Sequence, residues 1–365
     1  MKRIAILYGG RSGEHEVSLA SAASIVRHLD QERFESVLVG ATKEGEWFLQ
    51  DAAAAAAVRL SDSPLSIAKG RRVFAAPGAG LVVEAGGGRT GVEKLDCDLV
   101  FPVLHGTFGE DGTVQGLLEV AGLPYVGAPV LGSALGMDKE KAKELWMRAG
   151  LPVVPFLAAR SDALGDIEGL ARKVGARFSW PCFVKPACAG SSVGASKVPG
   201  PESLGAALLA ALAWDEKVLI EPFVDAREIE CAVLGNAEPI AFAPGEVVPS
   251  HEFYDYEAKY IDPDGARLDV PARIAPEQAE RVRAVAVAAF KACELAGMAR
   301  VDFFIDRRTG EVLLNEVNTI PGFTHISMYP RMCEEGGVSY SELITRLAEL
   351  ALERHAERSK LKFMN

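Results

Sequence analysis

Arg300-Val301-Asp302 and, further along, Glu316-Val317-Asn318 bring metal-type oxygen donors and a cation within reach of one another. Side chains alternate along a strand, so Arg300, Asp302 and Phe304 share one face while Val301, Phe303 and Ile305 share the other. Arg307-Arg308-Thr309-Gly310 reads as a hairpin turn. With the loop at 308–310, facing positions sum to about 618, which sets Asp302 opposite Glu316 and leaves Asn318 on the face of Glu316. Two carboxylates and a carboxamide at cross-strand distance suit a hard cation such as Mg²⁺, which takes a few protein oxygens with waters and substrate phosphates. A bare Asp/Glu pair is more commonly a half-buried polar patch on two strands. Arg300 and Asn318 on the same face favour the metal reading.

Lys185-Pro186, followed closely by Gly190-Ser191-Ser192-Val193-Gly194, joins a cation to flexible backbone N–H and hydroxyl donors, the means by which phosphates are held. No GxxxxGK[ST] loop is present, and a bare GSSVG is an ordinary turn in most proteins. Leu219-Ile220-Glu221-Pro222-Phe223-Val224 offers a nucleobase an apolar pocket edge, with a carboxylate and backbone groups for its exocyclic amine; the alternative is an edge strand ended by proline. His105-Gly106-Thr107-Phe108-Gly109-Glu110-Asp111-Gly112 reads as a tight loop in which Glu110 and Asp111 cap the helix that follows. The aromatic stretch at 245–262 has little strand or helix regularity and reads as a loop that covers something.

The elements that must carry these groups are legible in outline. A strand at 4–8, the turn Gly9-Gly10-Arg11-Ser12-Gly13-Glu14-His15-Glu16 and an amphipathic helix at 18–29 open the chain like a nucleotide fold. The spacing is not GxGxxG and the second strand, 35–39, lacks a terminal acid for a ribose, which weakens a dinucleotide site. Residues 42–93, rich in Ala and Gly, read as a surface elaboration. A buried strand at 98–104 delivers His105 at its C-terminal end, where open α/β sheets bind ligands. Asp138 is a candidate N-cap that puts Lys139 in a first helical turn, and Gly150 with Pro152 stops that helix. Alternating elements from there to 234 suggest a second α/β unit. An apolar stripe of Val282, Val285, Ala286, Ala289, Phe290 and Cys293 marks a helix begun by Pro276 and closed by Gly297, before the Arg300 hairpin of a third unit.

With 365 residues the chain exceeds one ordinary core, and 49% hydrophobic with 24% charged residues are ordinary globular values. A formal net charge of -11 argues against a general nucleic-acid surface. No apolar run is long enough to span a membrane, and Met1-Lys2-Arg3 leads straight into a strand with no room for a signal peptide, so a cytoplasmic location is expected. The 6 cysteines are scattered without CxxC spacing, which predicts free thiols and no zinc site.

Taken together, HGTFGEDGTVQG (105–116) and LAGMARVDFFIDRRTGEVLLNEVNTIPG (295–322), with GGRSGEHEVS, MDK, VKPACAGSSVG and YDYEAKY in the family's order, resemble the D-alanine–D-alanine ligases of the ATP-grasp superfamily. The resemblance spans nearly the whole chain outside 42–93. It implies an α/β (α+β) protein of three lobes: an N-terminal open parallel-sheet domain (1–127), a central lobe (128–220) and a C-terminal lobe (221–365) with a lid at about 245–262, the last two clamping ATP. Asp302, Glu316 and Asn318 match the family's ligands for two Mg²⁺ ions, with Mn²⁺ able to substitute and Glu316 bridging. Lys139, Lys185 and Ser192 match phosphate contacts, and Lys259 resembles the lid lysine that reaches the γ-phosphate beside the substrate. Glu221, Phe223, Val224 and Glu228 align with adenine and ribose contacts, and Phe304 walls the adenine pocket. Pro222, where some relatives carry Lys, removes an N–H and puts one base contact in doubt. Glu14 is implied to pair with the first substrate's ammonium and to be locked by Ser191 and Tyr260, with His105 near that site or packed structurally. Arg300 and the Gly322 N–H would hold the oxyanion, and Ser327 and Met328 would lie beside the second carboxylate.

The implied activity is ATP-dependent joining of two D-alanines through an acyl phosphate, for peptidoglycan precursor synthesis, by a cytoplasmic homodimer formed through the N-terminal lobe. The lid sequence YDYEAKY favours the dipeptide over the D-lactate ester. Another ATP-grasp carboxylate-amine ligase would keep the metal and phosphate residues but change Glu14, Ser191 and Tyr260. A non-catalytic nucleotide-binding regulator would lack the metal ligands, and a hydride-transferring dehydrogenase is weakened by the glycine spacing.

Overall fold

In the computed structural model, residues 1–191, 193–249 and 266–362 are described. In the N-terminal lobe, β1 (Lys2–Gly9) runs parallel between β2 (Phe34–Ala41) and β7 (Leu99–Val103), with β3 (Trp47–Leu49) antiparallel on the far side of β2. Residues 4–8 are buried without alternation, as a strand covered on both faces requires. Ile4, Ile6 and Tyr8 meet Ala22, Ile25 and Val26 of the helix His15–His28.

Ala5 and Leu7 face the other way, and the segment at 42–93 is what covers them. Its β4 (Val73–Ala76), β5 (Gly80–Glu84) and β6 (Val92–Lys94) form an antiparallel meander whose Val73, Leu81 and Val83 share a core with Ala5, Leu7 and Val39. The surface elaboration expected from composition is therefore a structural layer. Together with Val114 and Leu118 of the helix Thr113–Ala121, it closes the apolar second face of the sheet from water.

The central sheet is antiparallel in every pair, in the order β10 (Ser196–Val198), β9 (Cys182–Pro186), β11 (Lys217–Pro222), β8 (Leu157–Arg160). Helices Ile167–Arg177 and Leu204–Leu212 back it through Val174 and Leu208, which pack on Val184 and Ile220. The C-terminal sheet is antiparallel as well: β15 (Ala266–Asp269), β14 (Gly245–Pro249), β12 (Ala226–Gly235), β16 (Gly297–Asp306), β17 (Val312–Asn318), with β13 (Ile240–Ala241) beside β12.

Two boundaries read from chain order are corrected by packing. The helix Lys139–Arg148 lies on the back of the C-terminal sheet, where Ala142 and Trp146 join Val285, Phe290 and Val301, and the Trp146 indole N–H donates to the Ala289 carbonyl at 3.2 Å. It thus leaves the central lobe to which 128–220 had assigned it, and a break at 220/221 would cut β11. The helix Pro276–Ala292 is closed by Glu294 in the left-handed region (φ 51°), with Leu295 N–H bonded to the Phe290 carbonyl, and not by Gly297, which begins β16. The last helices, Met328–Glu335 and Tyr340–Arg358, seal the joint between lobes: Tyr329, Leu343 and Leu347 share one core with Ile6 and Phe101 of the first sheet and Met298 of the third.

Candidate active site

The β16–β17 ladder pairs Asp302 with Glu316 and Arg300 with Asn318, the register expected from the sequence. It is reached by two compensating differences. The turn occupies 307–310, one residue longer than expected, and a bulge beyond Asp302/Phe303 leaves Asn315 and Glu316 both half-buried on the site face. Along β16 the alternation is strict, with Arg300, Asp302 and Phe304 half-buried and Val301, Phe303 and Ile305 buried.

Arg300 grips Asp302 with two hydrogen bonds, Nε to Oδ1 at 2.8 Å and Nη2 to Oδ2 at 2.7 Å, while its Nε also lies 3.1 Å from Glu230 Oε2. Burial disfavours the guanidinium charge, but Asp302 and Glu230 outweigh it and hold the group well above its ordinary range. Asn318 donates its amide N–H to Asp302 Oδ2 at 2.9 Å, which leaves its carbonyl oxygen to serve another partner. Among the described residues no group of three or more His, Cys, Asp or Glu side chains is arranged to hold a metal ion. A divalent ion would rely on Asp302, Glu316 and the Asn318 carbonyl, an all-oxygen set that fits Mg²⁺ retaining waters and taking phosphate oxygens.

Two lysines reach this face from the other side. Lys139 Nζ lies 3.3 Å from Glu316 Oε2 and donates to the Ala189 carbonyl at 2.7 Å. Asp138 caps its helix by accepting from Lys141 N–H at 3.1 Å, as the sequence suggests, and is itself ion-paired with Lys217. Lys185 Nζ donates to Asn315 Oδ1 at 3.1 Å and pairs with Glu221 Oε2 at 2.8 Å. The other Glu221 oxygen lies 2.9 Å from Lys143, and Glu221 is 3% exposed. Burial alone would raise this carboxyl; the two lysines reverse the shift and hold it below its usual range. The Glu221 carboxylate is therefore engaged by lysines on both oxygens.

Beside Glu221 an aromatic shelf is formed by Phe183 and Phe223, stacked at 6.2 Å, with Lys197 Nζ 4.5 Å above the Phe223 ring. Phe223 is exposed and Val224 half-buried. Glu228 faces Phe304 across the β12–β16 ladder, one step along the same face from Glu230 and Asp302.

Glu14 stands at the N-terminus of the first helix and accepts from Ser191 Oγ at 2.5 Å, so the N-terminal lobe and the glycine loop meet at this carboxylate. A Cβ on Gly106 would lie 2.7 Å from Glu14 Oε2, and one on Gly190 2.9 Å, so a side chain at either would displace the Glu14 carboxylate, and Gly106 also holds a left-handed backbone at φ 72°. His105 is 4% exposed and its ring is spoken for: Nδ1–H donates to the Ile320 carbonyl at 2.9 Å, and Nε2 lies 3.2 Å from Ser21 Oγ. Burial lowers its pKa, against the pull of Glu14. Both ring nitrogens of His105 are thus engaged within the protein. Glu110 does not cap a helix; its carboxylate is buried and accepts N–H bonds from Gly106 and Ile320, both at 2.8 Å. Asp111 is the acid at the helix start, accepting from Thr113 N–H at 2.9 Å.

Gly322 lies against Ser327, within van der Waals contact of any added Cβ at 3.4 Å. Ser327 precedes the helix Met328–Glu335 and is bonded to Thr324 at 2.7 Å. The Met328 side chain is buried in the core, so only its backbone can face a substrate. Ser192, Lys259, Tyr260 and most of the lid at 245–262 lie outside the described residues.

Sequence reading passed over Lys143, Glu230, Asn315 and the strut formed by Glu110. Signals for the first two were present: Lys143 is one helical turn from Lys139, and Glu230 alternates with Glu228.

Residues 3–128 match the family model for the D-ala D-ala ligase N-terminus and 145–349 that for the D-ala D-ala ligase C-terminus. The chain is 47% identical to the D-alanine–D-alanine ligase of Treponema denticola, over 98% of each chain. It is 50% identical to D-alanine–D-alanine ligase A of Bradyrhizobium diazoefficiens, over 99% of this chain and 97% of that one. The D-alanine–D-alanine ligase structure from Coxiella burnetii superposes with a TM-score of 0.84 at 34% identity, covering 98% of this chain and 96% of that one. The D-Ala:D-Ser ligase structure from Enterococcus faecalis gives 0.82 at 36%, covering 96% and 99%. With its antiparallel central and C-terminal sheets facing each other across Lys139 and Lys185, the chain has the ATP-grasp fold and belongs to the D-alanine–D-alanine ligase family.

Proposed function

We propose that this chain joins two D-alanines into D-alanyl-D-alanine for peptidoglycan precursor synthesis, converting ATP to ADP and phosphate. The observation that carries this reading is the meeting of Lys139 and Lys185 with Glu316 and Asn315, which puts phosphate-binding cations against a face of oxygen ligands. A carboxylate resists nucleophiles, so it must first be activated. The first D-alanine, its ammonium held by Glu14, attacks the γ-phosphorus through a carboxylate oxygen; the bond to ADP breaks and an acyl phosphate forms. Asp302, Glu316 and Asn318 would hold Mg²⁺, with Mn²⁺ able to substitute, and the bound ions supply neutralisation of the transferring phosphoryl oxygens. Lys139 and Lys185 add charge to the same phosphates.

The amine of the second D-alanine then attacks the acyl carbon, and Arg300 with the Gly322 N–H receives the oxyanion. Phosphate leaves as the C–N bond is retained. Ser327 and the backbone at Met328 flank the second carboxylate, at a helix N-terminus suited to an anion. Lys259 and Tyr260 would close the lid over the acyl phosphate and exclude water. A homodimer through the N-terminal lobe is part of the proposal, and Leu117 and Val120, 44% and 62% exposed on the helix Thr113–Ala121, support it. So is a cytoplasmic location; among the described residues no helix is long and apolar enough to cross a membrane.

The test is ATP-driven phosphate release over a panel of D-alanine, L-alanine, and D-alanine paired with D-serine or D-lactate. D-alanine alone should support turnover, and Glu316→Gln should abolish it. No D-alanine-dependent phosphate release from folded protein would overturn the reading, and robust use of D-lactate at neutral pH would overturn the dipeptide specificity.

A further inference from the structure

Among the described residues, Lys143 is the one fully buried lysine of the site region, at 0% exposure, and neither phosphates nor metal ligands account for it. Its ammonium lies 2.9 Å from Glu221 Oε1 and donates to the Val154 carbonyl at 3.2 Å. Lys185, on β9, takes the other Glu221 oxygen at 2.8 Å. Lys143, Glu221 and Lys185 are thus a cation, an anion and a cation in a row. A buried charge of this kind is retained only where it is paired, and replacing one partner leaves the others unbalanced.

The arrangement has an electrostatic consequence for the lysine at the site end. With Glu221 alone behind it, Lys185 would be half of a neutral ion pair, its charge directed backwards. A second cation behind Glu221 leaves the trio with net charge +1, and Lys185 is the member nearest the face of Asn315 and Glu316. We propose that Lys143 is a positioning residue for nucleotide binding: by balancing the charge of Glu221 from behind, it leaves the positive charge of Lys185 available to the phosphates. This rests on the reading of Lys185 as a phosphate contact.

The lysine's environment agrees with this geometry. Burial chiefly, and then the like charge of Lys185, push the Lys143 ammonium down to about 8, while Glu221 and Glu316 act to raise it. The charged groups facing it are Glu221 on β11, Lys185 on β9 and, farther off, Glu316 on β17, with Lys139 on its own helix. Raising the pH through that value removes the Lys143 charge and leaves Glu221 to neutralise Lys185.

The experiment is equilibrium binding of ATP and of adenosine to the full chain, comparing the wild type with Lys143→Met and with the double variant Lys143→Met/Glu221→Gln. Lys143→Met should weaken ATP about ten-fold, the order expected for losing one unit charge several ångströms from a phosphate at an effective dielectric near ~20. The double variant, neutral where the pair was neutral, should recover to within about three-fold of wild type, because removing both partners of a buried pair is far milder than removing one. Adenosine affinity should not move in Lys143→Met. In the wild type, ATP affinity should fall between about pH 7 and pH 9.5, and the double variant should not show that fall. This pH arm stands even if Lys143→Met fails to fold. Unchanged ATP affinity in folded Lys143→Met, no recovery in the double variant, or an equal loss of adenosine and ATP would each overturn the proposal. A wild type that binds no ATP at all would instead overturn the function on which it rests.

Discussion

Arg300 shows how much of the site's chemistry lies in pairings that residue type does not disclose. A guanidinium on a strand beside an acid reads from sequence as a cation among metal-type oxygen donors, and the oxyanion role shared with Gly322 is implied only by the family resemblance. Its position on the face with Asp302 was legible from alternation alone. The second acid was not. Glu230 lies on a different strand, and its Cα partnership with Asp302 depends on the β12–β16 register, which no local spacing encodes. Arg300 is therefore held by carboxylates on two strands, in a fork that only a planar guanidinium can occupy. Arg300→Lys keeps the charge but loses the paired bonds to Asp302, and it should lower kcat about 10²-fold, within the range for losing one oxyanion donor. ATP affinity should change far less, since the phosphate lysines are untouched. Equal losses in kcat and in ATP binding would show that Arg300 serves the nucleotide instead of the second step.

At the scale of elements, the hairpin register is the best-read feature of the chain and also the one reached by an unexpected route. A longer turn moves the ladder by one residue, and the bulge at Asn315 restores it, so the facing of Asp302 and Glu316 survives while the strand between them does not read as drawn. Bulges carry little sequence signature, and the visible one here is only that Asn315 and Glu316 are adjacent polar residues where alternation allows one. The bulge yields a pair of contrasting predictions. Deleting Asn315 restores strict alternation and keeps Glu316 and Asn318 on the site face, with loss only of the contact to Lys185. Such a deletion should retain measurable ligation with ATP affinity weakened about 3- to 10-fold, as for one hydrogen bond to a charged group. Inserting an alanine between Glu316 and Val317 instead turns Val317 outward and Asn318 toward the core, and ligation should be lost. If the deletion is as inactive as the insertion at equal thermal stability, alternation is not what sets the ligand face. The lobe assignment of the helix Lys139–Arg148 was out of reach for a related reason: its buried Ala142 and Trp146 reveal a packed face but not which sheet receives it.

The whole molecule is tied together at its centre by Glu110, which bonds Gly106 N–H in the N-terminal lobe and Ile320 N–H in the loop leading to Gly322. Chain order gave no hint of this, because the partners are separated by more than two hundred residues. Burial chiefly, then the charge of Glu14, push the Glu110 carboxyl up to about 8, against the N–H donors that favour its ionised form. Its value in the folded chain thus stands above the ordinary value of 4.5 that it regains on unfolding. Between those two values the folded state holds a proton the unfolded state has released. By linkage, stability from this group is complete below the lower value and is lost as pH rises toward the upper one, at most about 1.4 kcal/mol per pH unit. Glu110→Gln has no proton to lose and keeps one acceptor for the strut. The wild type should therefore lose melting temperature between about pH 5 and pH 8, and the variant should show a distinctly shallower slope over that range. Thermal unfolding of both proteins across the window, in one buffer ionic strength, reads this directly. Parallel slopes would mean that Glu110 is ionised throughout and that its two N–H bonds outweigh its burial.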